Sequence, residues 1–428
     1  MDKKNFLKLG KKLWPLNRSL TGTGVIQTLK ILKDYNKKLK IIKFKSGQKA
    51  FDWTIPKEWV VNEAWIKDEK GKKIINFQNN NLHLVGYSAS IKKKFFLKQF
   101  IKKLHFHENQ PNAIPYVTSY YKKDWGFCLT YNQLKKMNQK TKYEVYINSK
   151  FKKGFLNCAE IYLPGRSKKE ILFSTYICHP SMANNELSGP ILSIFLSKWL
   201  NSLKNRKWSY RFIFVPETIG SIAYLSKNYK KLKKNVIAGY VLTCLGDERS
   251  YSFLPSKFKY SIADKIARQV LKKNVKSFKE YTWLDSRSDE IQFCSPGIDL
   301  PMASLMRTKY AEYPEYHTSL DTFGRVVTTN GLKGSLNILK KIVYKFEKSE
   351  FPIAKYKCEP QLGKKGLYPS LSKKNTIKLD TRLIQYFLSY SDGQNSIFDI
   401  SQKCKTTLAK ILKIEKILKK KKLISYLQ

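Results

Sequence analysis

Apolar positions recur at helical spacing near the N-terminus, at Phe6, Leu9 and Leu13 and again at Val25, Leu29 and Leu32. The spacing predicts helices over residues 1–36, interrupted by the turn Thr21-Gly22-Thr23-Gly24. From about 46 to 130 the texture changes. Short apolar runs alternate with polar residues, Pro and Gly punctuate them, and aromatics from Trp53 to Trp125 crowd the segment, which predicts a β-rich domain. EVYINSKF (144–151) reads as a further strand. Between 155 and 350, near-continuous apolar runs at 170–177, 210–216, 237–245 and 300–306 alternate with helical stretches at 188–205, 219–233, 260–273 and 331–349. That alternation predicts a mostly parallel sheet covered by helices on both faces. Residues 371–428 read as helix 380–390, turn, helix 396–404, helix 406–420 and the short strand LISYL, the pattern of a winged helix. A Gly-, Pro- and Lys-rich linker at 357–375 precedes it.

The resulting division is 1–45 (N-terminal helices of the core), 46–130 (inserted β-rich lid), 131–356 (α/β core) and 357–428 (linker and winged helix). With 42% hydrophobic and 14% aromatic residues, a disordered or fibrous chain is excluded. The net charge of +50 would ordinarily point to nucleic acid. However, only 10 of the 82 basic residues are Arg, and Lys is spread over the whole chain. Phosphate and base readers favour the planar guanidinium, so the charge is read as solvated Lys and not as a nucleic-acid surface. Seven scattered Cys without a Cys-x-x-Cys motif point to a reduced, cytoplasmic protein. No apolar run approaches the ~18 residues needed to span a bilayer, and the basic N-terminus lacks the apolar stretch of a secretory signal.

Only five His occur, at 83, 105, 107, 179 and 317. His179 and His317 sit among polar, turn-forming residues, and Glu217 directly follows an apolar strand. In parallel sheets ligands bind beyond the carboxyl ends of strands, and Cys178-His179, Glu217 and Gly246-Asp247 all lie there. A catalytic zinc commonly takes three protein ligands of these types and leaves one position open. The bland alternative is two loop histidines and a helix N-terminal acid. His105 and His107 read as a surface strand, and His83 as a packed residue. Cys178 is no partner for His179 in a dyad, because neighbouring strand residues face opposite ways. No phosphate-binding Gly-rich motif is present.

The string HPSMANNELSGP resembles the first metal motif of zinc aminopeptidases, VPETIGS a contracted form of their paired-Glu segment, SDEIQF their Ser-Asp-His element, and YHTSLDT their closing His motif. The four occur in that family's order. More closely, the whole chain resembles a bacterial family of aminopeptidase-like proteins, through FDWTIPKEW, NLHLVGYS, IPYVTSYYKKDWGFC, CHPSMANNELSGP, EYHTSLD and EPQLGKKGLYPS. The resemblance implies a three-layer α/β/α core with an inserted β-rich domain and a C-terminal winged helix. It also implies metal-dependent hydrolysis of an amide or peptide-like bond, and an association with surface-polysaccharide biosynthesis.

Departures from the aminopeptidase pattern carry physical weight. Asn185 stands where a bridging Asp is expected, and Pro216-Glu217 replaces paired Glu. An amide offers one good ligand oxygen and no charge. The expectation is therefore one zinc ion, held by His179, Glu217 and His317, with Asn185 or Asp247 as fourth ligand. Glu186 or Glu290 is the expected general base, or Glu217 itself if it is not a ligand. Asp321 is expected to orient His317. Arg18, Arg307 and Tyr313 are candidate substrate contacts, Arg18 equally a structural ion pair. Two other readings stay open: a catalytically degenerate protein that binds a ligand or partner, and a DNA-binding regulator using helix 406–418.

Overall fold

A computed structural model describes residues 3–368 and 381–428. Part of the expected linker, 369–375, and the first residue of the helix expected at 380–390 lie outside the described residues. The chain forms two compact units, 1–341 and 342–428.

The first unit is built on an eight-stranded sheet. Its strands are β1 (Lys40–Lys45), β2 (Phe155–Leu163), β3 (Glu170–Tyr176), β4 (Ser209–Val215), β5 (Val236–Leu242), β6 (Ser252–Leu254), β7 (Lys279–Glu280) and β8 (Met302–Met306). Their order is β1-β2-β4-β3-β5-β8-β6-β7. The central run β4-β3-β5-β8 is parallel, while β1, β2 and β6 pair antiparallel with their inner neighbours. Every residue of β3, β4 and β8 is buried, which is why these strands read as unbroken apolar runs and not as alternation.

Helices are α1 (Lys3–Leu13), α2 (Thr23–Tyr35), α3 (Ser188–Ser202), α4 (Ile219–Asn235), α5 (Ile262–Asn274) and α6 (Thr329–Lys348). Alternate strand residues face different layers. Leu172, Ile213 and Val241 meet α4 in one core. Phe173 stacks on Phe212 and Tyr240, and Tyr240 donates its hydroxyl hydrogen bond to Ala263 O of α5 at 2.8 Å. A Cβ on Gly189, near the start of α3, would stand 2.2 Å from Thr175 Oγ1 and 2.3 Å from Leu242 O. Only glycine lets that helix start so close to the ends of β3 and β5.

The segment after β1 carries a four-stranded antiparallel sheet, in the order 73–76, 58–67, 142–152, 91–96. Its third strand comes from beyond residue 130, the expected limit of the insertion. Its core is aromatic, with Trp59, Tyr87, Phe100, Phe127 and Tyr143 buried.

In the second unit, helices Thr381–Ser389, Ile397–Lys403 and Leu408–Lys420 surround a core that includes Ile384, Phe387, Ile400, Ile411 and Leu418. Strand Ile424–Tyr426 returns antiparallel to Pro352–Ala354. The solvent face of the third helix exposes Leu408 and Leu412.

Candidate active site

The parallel pairing Tyr176↔Val215 ends β3 and β4 at the same height. Cys178-His179 and Glu217 therefore emerge side by side. His179 Nε2 lies 3.6 Å from Glu217 Oε2. The His317 loop enters from beyond β8 and sets its ring 5.3 Å, centroid to centroid, from that of His179. Chain-distant His179 and Glu217 thus line one crevice outside the strand ends, with the His317 ring next to that of His179. Four non-glycine residues at these ends, Ser181, Thr218, Cys244 and His317, have φ of 49°, 62°, 49° and 55°. Each costs about 1–3 kcal/mol unless the surroundings enforce it, and such strain clusters at functional sites.

The polypeptide entering α3 makes one wide turn over Ala183–Leu187 before tightening, a distortion common at functional sites. It places Glu186 beside His179, Asn185 beside Tyr176 and Asn184 beside Asp247. His179 Nδ1 donates to Glu186 Oε2 at 2.7 Å, which leaves Nε2 as the lone-pair nitrogen toward Glu217. Arg18 supports the pair from beneath. It donates to His179 O at 3.0 Å and to Leu13 O at 2.5 Å, and its Nε lies 3.8 Å from Glu186 Oε1. Glu217 Oε1 is fixed by Ser288 Oγ at 2.5 Å, leaving Oε2 toward the histidine.

Burial pushes the His317 imidazole down to about 3, helped by His179. Burial acts the same way on His179, but Cys178 and then the Glu186 carboxylate outweigh it and raise that group. Burial raises Glu217 despite the neighbouring His179.

Several sequence expectations are corrected by these contacts. Asp247 is not a free fourth ligand: Oδ2 accepts from Asn184 Nδ2 at 3.0 Å and Thr308 N at 3.1 Å, and Oδ1 from Thr308 Oγ1 at 2.7 Å and Arg249 N at 2.9 Å. Glu290 is not free to act as a base: Oε1 accepts from Tyr310 OH at 2.7 Å and two backbone N–H groups, and Oε2 from Ser304 Oγ at 3.0 Å. Asp321 orients the Asn184-Asn185 backbone instead of His317, at 2.7 and 2.9 Å. Tyr313 donates to Asp321 at 3.2 Å, and Arg307 lies 3.9 Å over the Tyr251 ring. Arg18 takes the structural ion-pair role. His83 is packed, with Nδ1 2.8 Å from Cys128 O.

Sequence reasoning missed Tyr116. Its backbone N–H donates to His317 O at 2.8 Å, and its ring stands edge-on 5.0 Å from His179 and 5.2 Å from His317. Its hydroxyl meets that of Tyr120 at 3.0 Å. The string IPYVTSYYKKDWGFC was visible, but nothing in it says which tyrosine reaches the histidines. The crevice is about 530 Å³ and is walled by Leu20, Trp53, Tyr116, Tyr120 and Ile219 around His179 and Glu217.

The spacing of His179 and Glu217 suits two ligands of one zinc ion, whereas the described residues whose ligand atoms all lie within 4.8 Å of one another are Cys178, His179 and Glu186, without His317. Two ligand atoms ~2.0–2.1 Å from one tetrahedral ion stand about 3.4 Å apart, close to the His179–Glu217 separation. His317 Nε2 and Asn185 Oδ1 are buried without a hydrogen-bond partner, a state that costs about 1–3 kcal/mol per group when nothing else binds there.

A family model described as "Domain of unknown function (DUF4910)" matches residues 7–349, and one described as a winged helix-turn-helix matches 352–426. A relative from Clostridium acetobutylicum, provisionally named a polysaccharide biosynthesis protein with an aminopeptidase-like domain, is 41% identical over 394 residues. The match covers 92% of this chain and 89% of that one. A crystal structure from Clostridium acetobutylicum, provisionally described as a peptidase, superposes with a TM-score of 0.81 at 39% identity, over 99% of this chain and 96% of that one. A zinc aminopeptidase from Bacillus subtilis superposes with a TM-score of 0.59 at 13% identity, over 80% and 94%, and so shares the fold. The chain belongs to the DUF4910 family of aminopeptidase-like α/β proteins, here joined to a winged helix-turn-helix.

Proposed function

We propose that the protein is a metal-dependent hydrolase of an amide or peptide-like bond. In this reading it holds one zinc ion through His179, Glu217 and His317, with Asn185 Oδ1 as fourth donor. The observation that carries the reading is the 3.6 Å approach of His179 Nε2 to Glu217 Oε2, with the bare, buried Nε2 of His317 on the ring next to His179. Bound zinc supplies a water of pKa near 7 and polarisation of the scissile carbonyl.

The chain's own residues do the rest. Glu186 fixes the His179 tautomer, and Arg18 holds Glu186. Ser288 fixes Oε1 of Glu217 and leaves Oε2 as the ligand atom, while Glu186, whose Oε1 has no hydrogen-bond partner, is the carboxylate left to receive the proton released on attack. Burial keeps the Tyr116 and Tyr120 phenols protonated, so they present donors above the histidines for the oxygen on which charge develops. Leu20, Trp53 and Ile219 exclude water. The name of the Clostridium acetobutylicum relative supports a substrate linked to surface polysaccharide, such as an acylated amino sugar or an aminoacyl group.

A second reading, ligand binding without turnover, is favoured by Asn185, which withholds a carboxylate from the site. Zinc analysis of the purified protein and hydrolysis of aminoacyl and N-acyl-sugar substrates, with and without chelator, test both. About one zinc per chain and chelator-sensitive turnover lost in His317→Ala are expected. Zinc without turnover favours the second reading, and absence of zinc overturns the first.

A further inference from the structure

The crevice does not end at Tyr121. A second cavity of about 420 Å³ shares Pro56, Tyr120 and Tyr121 with it. The ring of Tyr121 is 82% exposed, yet it stands 6.3 Å from Trp53, edge to face, on the crevice side. Beyond it, Tyr87 and the exposed Phe151 lie 5.8 Å apart and wall the second cavity. An exposed aromatic standing between two cavities presents an apolar face to solvent.

The charge of the second cavity is one-sided. Lys57, Lys122 and Lys123 line it and no carboxylate does. Lys122 is shared with Asp124 at 3.4 Å, whereas Lys57 and Lys123 have no carboxylate partner among the described residues. Aromatic faces with ammonium groups beside them match a ring that is apolar on its C–H face and anionic at its edge. A flexible acidic peptide offers the charge without the flat face.

We propose that this second cavity is a subsite for an acidic sugar ring, one bearing a carboxylate, stacked on Tyr121. It would position the far arm of the substrate whose scissile bond lies at His179 and Glu217. The substrate assignment rests on the hydrolase reading of the adjoining site, but the subsite itself does not need the metal.

Isothermal titration of the full chain, stripped of metal by chelator, tests it with trigalacturonate, maltotriose and triglutamate. Trigalacturonate is expected to bind at least tenfold more tightly than maltotriose. Lys57→Gln with Lys123→Gln should erase that preference, and added salt should weaken it. Tyr121→Ala should weaken both sugars about fivefold or more. Because Tyr121 is exposed, its removal leaves the fold intact, which circular dichroism checks. Equal affinity for the two sugars, failure of both to bind, or triglutamate binding as tightly as trigalacturonate overturns the proposal. A chain that binds trigalacturonate but carries no zinc keeps the subsite and removes only the hydrolase reading.

Discussion

Replacing Glu186 by Gln keeps the side-chain volume and removes its charge. In the native site Oε2 accepts from His179 Nδ1 at 2.7 Å and Oε1 faces Arg18 Nε at 3.8 Å, with the Arg18 and Glu186 side chains fully shielded from solvent. Two separate losses follow. The amide oxygen still accepts from Nδ1, but the ring loses the charge that fixes its tautomer and raises its basicity. Changes to such outer partners lower metal affinity about 10–100-fold, or roughly 1.4–2.8 kcal/mol. Arg18, which burial brings down only to about 10 and which stays charged, loses its counter-ion. Stripping one partner from a buried pair costs about 3–5 kcal/mol of folding stability. Adding Arg18→Met removes the bare charge, so the double variant should regain part of the stability and none of the zinc affinity. Competition with a chromophoric chelator reads the first quantity, and urea unfolding of metal-free protein reads the second. Zinc affinity within twofold of wild type in Glu186→Gln refutes the orienting role. A double variant less stable than the single one refutes the charge argument.

Asn185→Asp restores a carboxylate with almost no change of shape. Zinc affinity should rise at least tenfold and a second equivalent should bind, and unchanged affinity and stoichiometry by metal analysis would contradict Asn185 as a donor. Glu170→Gln breaks a buried bidentate pair with Arg211, whose bonds are 2.7 and 3.0 Å. It should cost about 3–5 kcal/mol in urea unfolding, and a loss below about 1 kcal/mol would contradict that. Burial holds the His83 imidazole below its ordinary value, against a smaller opposing contribution from Cys128 O. The unfolded chain therefore takes up the proton first as pH falls. Stability is full above the ordinary imidazole range, near 6.5, and drops on acidification through and below it. The urea midpoint of His83→Gln should fall less between pH 7.5 and 5.5 than that of wild type, and parallel curves would refute this.

The central strands were legible because burial on both faces thins out polar residues in them, as in VIAGYVL (236–242). The helix start after Gly22 was legible for a related reason: φ of 98° there is a glycine conformation. Arg211 shows the limit. It sits inside an otherwise apolar strand, and its reason is lateral: Glu170 and Glu160 come from the strands on either side, which a linear pattern does not order. The same limit explains the carboxylates. Asp247, Glu290 and Asp321 all looked available in the sequence, because being occupied depends largely on partners far away in the chain. The histidines were found because histidine is scarce. Tyr116 was not, because tyrosine is abundant and only the bridge Pro115↔Thr318 singles it out.

That bridge does not stand alone. Ser319 N donates to Ile114 O at 2.9 Å, Ile114 N to Ser319 Oγ at 3.0 Å, and Gln110 Nε2 to Pro314 O at 2.8 Å. The inserted segment and the loop bearing His317 are thus stitched along one seam and cannot part there without breaking main-chain bonds. Any movement that widens the crevice must therefore leave this seam intact and displace the wall that carries Trp53 and Tyr121 instead.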